Sequence, residues 1–217
     1  MKKESLLEKL CENTVSITSP KDHPKRKNGD LLLVIDMQNA YTIAGPWTCP
    51  HMARAAERIT TLIDSGHFEQ VIFTRFDAPR LPVGTWKDYN EINREVNEDA
   101  DLNELIPQLR PYTDVYPLYS KSVYSAMSVT GIQSAVKECI ERSGAVVLTG
   151  VVSECCVLAT AFGAIDMGCP VIFITDACAG ISGETEEAVV RVLSGLDYVQ
   201  TTILDTAGYL ERSENRR

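Results

Sequence analysis

Three residues of this chain combine reactive chemistry with positions where a fold could gather them. Asp36 follows the apolar run Leu31-Leu-Leu-Val-Ile35, Lys121 follows a weaker run at Val115–Ser120, and Cys156 ends the stretch Gly150-Val-Val-Ser-Glu-Cys-Cys156. A thiol attacks as thiolate, so it needs a group to accept its proton and a positive environment to hold the charge that results. A carboxylate and an ammonium supply both. Histidine is the commoner base, but His23 lies in an N-terminal stretch, His51 and His67 flank an expected helix, and none closes a strand. Asp36 is the natural alternative.

Each of these residues has a plainer reading. A strand-end Asp caps turns, a lone Lys is solvated, and a buried Cys fills apolar space, the role expected of Cys139, Cys169 and Cys178. Cys156 is set apart by its place in the first turn of an expected helix. Unpaired backbone N–H groups and the positive end of the helix dipole there lower a thiol pKa, favour thiolate, and could hold an oxyanion.

The elements that must position these residues alternate along the chain. Continuous apolar runs at Leu31–Ile35, Val71–Arg75, Ala145–Thr149 and Val171–Thr175, with weaker ones at Val115–Ser120 and Tyr198–Leu204, read as strands. Helical periodicity appears at Met52–Ser65, Gly131–Ser143, Cys155–Met167 and Glu184–Leu196, with a short helix near Asp101–Leu109. Strands spaced by helices imply right-handed crossovers and a mostly parallel, doubly wound sheet covered on both faces, a three-layer α/β/α sandwich. Ligands of such sheets bind beyond the carboxyl ends of the strands, where Asp36, Arg75, Lys121 and the Cys156 segment fall. The residues after the first strand, Met37-Gln-Asn-Ala-Tyr41, lack the Gly-x-Gly-x-x-Gly turn of dinucleotide-binding folds.

At 217 residues the chain suits one α/β domain, residues 29–217, preceded by an N-terminal extension, residues 1–28, with a short amphipathic piece at Leu6, Leu7 and Leu10 and prolines at 20 and 24. A net charge of −9 argues against nucleic acid and anionic membrane surfaces as partners, and the basic stretch from Lys21 to Lys27 reads as a solvated tail. Seven cysteines without a C-x-x-C pair indicate neither a disulfide framework nor a zinc site and fit a reducing cytoplasm. No window reaches the apolar length of a membrane span.

Three motifs then make a resemblance specific. Leu31-Leu-Leu-Val-Ile-Asp36-Met-Gln38, Tyr119-Ser-Lys121-Ser-Val-Tyr-Ser125-Ala126, and Thr149-Gly150-Val-Val-Ser-Glu-Cys-Cys156-Val157 with Ala159-Thr160-Ala161 resemble, in order and spacing, the motifs of the isochorismatase-like cysteine hydrolases. The resemblance spans about Leu31 to Leu204. It implies a six-stranded parallel sheet, an Asp36, Lys121, Cys156 triad, a cis peptide at Val151-Val152, and an oxyanion hole made by the backbone amides of Val152 and Cys156. It also implies no cofactor, a homodimer or homotetramer, and cleavage of an amide, ureide or lactam C–N bond in a small molecule.

Zinc-dependent nicotinamidases carry an Asp-x-His motif that is missing here, so no metal is expected. Relatives that hydrolyse the vinyl ether of isochorismate do not need the cysteine, which leaves ether hydrolysis as one alternative and a catalytically silent binding relative as another. Cys155 stands where the family more often has an apolar residue. Candidate substrate contacts are Gln38, Tyr41, Arg75 and Trp86, the last on a long segment, Phe76–Ala100, able to cover a pocket mouth. Packing is an equal reading for Trp86, and pairing with Asp77 is one for Arg75.

Overall fold

A computed structural model describes residues 29–197 and 199–215. The N-terminal extension, with its amphipathic and basic pieces, lies outside the described residues, as does Tyr198. β1 (Leu31–Ile35) is buried at every position because both of its faces are covered. Its side chains alternate between two cores. Leu32 and Val34 enter one, while Leu31, Leu33 and Ile35 enter the other.

β2 (Gln70–Phe76) and β3 (Leu118–Lys121) lie to one side of β1, and β4 (Val146–Val151), β5 (Val171–Ala179) and β6 (Thr201–Leu204) to the other. The sheet has six strands in the order β3-β2-β1-β4-β5-β6, every neighbouring pair parallel. The direction of winding reverses between β1 and β4, so the crevice at a topological switch point opens between their carboxyl ends.

Between β1 and β2 runs α1 (Met52–Asp64); α2 (Thr85–Ile92), α3 (Arg94–Glu98) and α4 (Ala100–Asn103) separate β2 from β3. α5 (Thr130–Glu141), α6 (Leu158–Asp166) and α7 (Gly183–Ser194) follow β3, β4 and β5, and α8 (Thr206–Glu214) follows β6. α1 and α8 pack on one face, α5, α6 and α7 on the other, which completes the three layers. α1 buries Met52, Ala55, Ala56, Ile59, Leu62 and Ile63, the apolar stripe its periodicity calls for. Cutting Ile59 to Ala there would cost about 2–5 kcal/mol.

The structure departs from the sequence reading in several places, and the short helix expected near Asp101–Leu109 is reduced to α4, which ends at Asn103. β5 continues past Thr175 to Ala179 because the ladder with β4 shifts register between Leu148 and Gly150, letting the polar pair Thr175 and Asp176 leave the pairing before it resumes at Cys178. α8 stands where the sequence reading placed no helix, and it is held by one aromatic. Tyr209 stacks on Phe68 at 5.1 Å, and its hydroxyl donates to Asp30 Oδ2 at 3.0 Å. The expected loop over Phe76–Ala100 is largely helical, with Trp86 and Tyr89 three residues apart on one side of α2.

Candidate active site

Asp36, Lys121 and Cys156 arrive from three strands and meet. Asp36 is the first residue beyond β1, at φ 50°, and has no solvent exposure. Its carboxylate is held from two sides: Thr74 on β2 donates its hydroxyl to Oδ1 at 2.7 Å, and Lys121 Nζ lies 2.6 Å from Oδ2. Lys121 closes β3, which does not adjoin β1, so its side chain reaches past β2 and crosses the Phe76 ring 5.4 Å from the centroid. The same ammonium donates to Cys156 Sγ at 3.3 Å and to the Val123 carbonyl at 3.2 Å.

The Cys156 segment is shaped by close strand approach and by an opened helical turn. Gly150, paired with Ile35, has φ +110°, and a Cβ there would lie 2.1 Å from the Ile35 carbonyl oxygen, so only glycine lets β4 lie this close to β1. The Val151–Val152 peptide is cis. Ser153–Val157 then forms a π-helical turn before α6, so Cys156 is not in the first turn of an α-helix as expected. In that turn the Val152 carbonyl accepts the N–H groups of Cys155 at 3.0 Å and Val157 at 3.2 Å and passes over the Cys156 N–H between them. Thr160 fixes the turn from below: its hydroxyl donates to the Cys156 carbonyl at 2.7 Å and accepts the Ala126 N–H at 3.0 Å.

Burial corrects a second expectation. Rather than falling at a helix start, the Cys156 pKa is pushed up, first by desolvation and then by Asp36, with Lys121 opposing. That direction favours thiol over thiolate at Cys156. Burial alone would pull the Lys121 ammonium down, but Asp36 and then Cys156 hold it above its ordinary value. A buried thiol, a carboxylate to take its proton and an ammonium touching both can pass a proton from sulfur to oxygen without creating an isolated charge.

The other expected contacts divide. Gln38 is buried, and its amide is used within the protein: Oε1 accepts the Phe76 N–H at 2.8 Å, and Nε2 donates to the carbonyls of Phe76 and Asn103, each at 3.0 Å. It braces β1 against β2 and the end of α4. Arg75 turns away, since Thr74 and Phe76 on either side face the site, and its Nε contacts Asp77 at 3.2 Å and Ser120 at 3.1 Å. Tyr41 and Trp86 join an aromatic cluster that reaches Phe76, the ring under the Lys121 ammonium. Trp86 packs with Tyr89 at 5.1 Å, Tyr124 at 5.3 Å and Phe76 at 6.1 Å, while Trp47 joins Tyr41 to Tyr89.

Three neighbours were not singled out from the sequence: Thr74, Tyr124 and Glu154. Thr74 had a signal, being two residues before Phe76 and hence on the same face of β2 at its carboxyl end. Glu154, inside the π-helical turn that carries Cys156, accepts the Ile181 N–H at 3.1 Å and so ties that turn to the loop after β5. Among the described residues, no three His, Cys, Asp or Glu side chains are grouped to hold a metal ion.

An isochorismatase-domain family model matches residues 30–206, the whole stretch from the start of β1 to α8. The chain belongs to the isochorismatase family. Solved structures in this family's fold include an isochorismatase-like hydrolase from Alkaliphilus metalliredigens, 23% identical over 84% of this chain and 97% of that one, with a TM-score of 0.66. A pyrazinamidase/nicotinamidase from Streptococcus mutans is 22% identical over 81% and 99%, with a TM-score of 0.64. An N-carbamoylsarcosine amidase from Thermoplasma acidophilum is 21% identical over 82% and 96%, also at 0.64. No curated protein matches the chain significantly. At these identities the structural likeness bears on the fold; the isochorismatase fold here thus includes proteins named as amidases. Among the described residues no helix is long and apolar enough to cross a membrane.

Proposed function

We propose that this isochorismatase-family protein is a cysteine hydrolase that cleaves an amide, ureide or lactam C–N bond in a small molecule through a thioester on Cys156. The observation that carries this reading is the Lys121 ammonium in contact with both the Asp36 carboxylate, at 2.6 Å, and the Cys156 sulfur, at 3.3 Å. Asp36 takes the thiol proton as sulfur attacks the carbonyl carbon, and Lys121 balances the charge as it moves from carboxylate to sulfur. The backbone amides of Val152 and Cys156 hold the oxyanion, a contribution of about 3–4 kcal/mol per donor where one has been removed from such a hole. Protonated Asp36 donates to the departing nitrogen. The carboxylate so restored then takes a proton from water as it attacks the thioester, the C–S bond breaks to release the acid, and Asp36 returns that proton to the Cys156 sulfur.

The test is a hydrolysis panel of nicotinamide, N-carbamoyl amino acids, half-amides, lactams and isochorismate, read as released amine or ammonia, with mass analysis of the protein during turnover. At least one amide or ureide should be consumed, its acyl fragment should appear on Cys156, Cys156→Ala should be inactive, and Cys155→Ala should keep most activity. Consumption of isochorismate alone, without an adduct and undiminished in Cys156→Ala, would replace this reading with ether hydrolysis.

A further inference from the structure

The walls around Cys156 are aromatic, and its charges cancel. Among the described residues four charged side chains are buried: Asp30, Asp36, Lys121 and Arg212. Asp30 precedes β1, at the opposite end of the sheet from the site, and Arg212 lies on α8, whose Tyr209 bonds to Asp30. That leaves Asp36 and Lys121, already paired at 2.6 Å, and they are the charged groups that act on the Cys156 thiol. Arg75, the cation nearest in sequence to the end of β2, is turned to Asp77 and Ser120.

The polar groups available to a substrate are instead phenols. The hydroxyls of Tyr41, Tyr89 and Tyr124 make no hydrogen bond to another described residue, and their rings belong to the cluster that runs from Trp47 through Trp86 to Phe76, over which Lys121 Nζ lies 5.4 Å from the ring centroid. Phenols are uncharged and serve carbonyl oxygens, ring nitrogens and hydroxyls. A carboxylate entering here would lose its water and meet, among the buried described residues around Cys156, one cation, Lys121, already paired with Asp36, an arrangement that disfavours the ion over an uncharged group of equal size.

We infer that the site takes uncharged amides and rejects their carboxylate-bearing analogues, with Tyr41, Tyr89 and Tyr124 supplying the polar contacts between the faces of Trp86 and its aromatic neighbours. This rests on the reading of the site as the place where a substrate amide binds, and it excludes acidic half-amides, N-carbamoyl amino acids and dicarboxylates such as isochorismate from the good substrates. Dependence on local desolvation rather than on the net charge of −9 makes the selection insensitive to salt.

Binding can be read without turnover, because the two tryptophans of the chain, Trp47 and Trp86, both pack on Tyr89. Tryptophan fluorescence of Cys156→Ala is titrated with 4-acetylbenzamide and with 4-carbamoylbenzoate, which match in size and differ in charge, at low and high salt. The wild-type chain is titrated in parallel. The carboxylate should bind about tenfold more weakly or worse at both salt concentrations. Tyr124→Arg, at a position 44% exposed and so tolerant of the change, should narrow or reverse the gap. Tyr89→Phe should weaken the neutral ligand about threefold to tenfold. Equal affinities, tighter binding of the carboxylate, a gap that vanishes in salt, or no binding of the neutral amide would each overturn the inference. A charge preference without any amide turnover would sink the hydrolase reading alone, whereas turnover without charge preference would sink this one alone.

Discussion

Thr74 and Asp36 are bonded to each other in both directions: the Thr74 hydroxyl donates to Asp36 Oδ1 at 2.7 Å, and the Asp36 N–H returns to the Thr74 carbonyl at 3.1 Å. The threonine thereby fixes which carboxylate oxygen is left for Lys121 and the thiol. Thr74→Val keeps the shape and removes the donor. Activity as kcat/KM should fall about tenfold, in line with ~1–1.5 kcal/mol for a lost hydrogen bond, while the circular dichroism spectrum stays unchanged. An unaltered rate would show that Lys121 alone orients Asp36.

Gln38 gives a contrasting expectation. Since its amide bridges Phe76 and Asn103, Gln38→Leu should lower stability by about 1–3 kcal/mol through the backbone groups it leaves unpaired. A denaturation midpoint equal to wild type, together with a raised KM, would return Gln38 to the role of a substrate contact.

Glu154 is a positioning residue on the same logic. Glu154→Gln retains an acceptor for the Ile181 N–H and should keep activity within about threefold, whereas Glu154→Ala should lower kcat about tenfold with KM little changed. A Cβ on Gly180 would lie 2.4 Å from Glu154 Oε2, so Gly180→Ala should reproduce the alanine phenotype. Equal rates in Gln and Ala variants would remove the residue from the argument.

Stability should decline in alkali. The ordinary thiol value is 9.0; burial and then Asp36 push Cys156 above it, and burial followed by Glu154 and Glu186 pushes Cys49 up to about 12. Below the unfolded value both states hold the proton and nothing is lost. Above it the unfolded chain releases protons that the folded chain retains, so unfolding becomes easier as pH rises toward the folded values. The urea midpoint should therefore drop between pH 8 and pH 10, and drop less in Cys156→Ala; a flat profile in both would contradict the assignment of Cys156 as a neutral thiol.

The parts of this molecule that could be read from sequence are those written in continuous local patterns. β1 is an unbroken apolar run because both faces are buried, and the stripe on α1 repeats at helical spacing, so Asp36 could be placed at a strand's carboxyl end from residue types alone. What could not be read depends on contacts between distant segments. The π-helical turn around Cys156 arises from a carbonyl that skips one residue, and no residue type encodes that choice. α8 is anchored by Tyr209 meeting Phe68 and Asp30, partners far away in the chain. Gln38 looked like a substrate contact since a polar residue beyond a strand usually faces solvent or ligand, yet here the end of β2 comes close enough to use its whole amide. The thiol's high pKa follows from desolvation in the assembled crevice, which a local helix-dipole argument omits.

Lys121 sits at the end of a four-residue strand that, among the described residues, forms one margin of the sheet and pairs with β2 alone. Margins open at lower free energy than the centre of a sheet, so the ammonium can come loose while β1, β4 and their cores remain intact. Inactivation should then outrun unfolding: in rising urea, turnover disappears before the near-ultraviolet signal of the core does, and amide hydrogens of residues 118–121 exchange ahead of those in β1. Coincident loss of both signals would mean that this margin is as firmly held as the middle. If Lys121 balances charge as proposed, function is the more fragile of the two properties, with a folded but idle population preceding any denatured one.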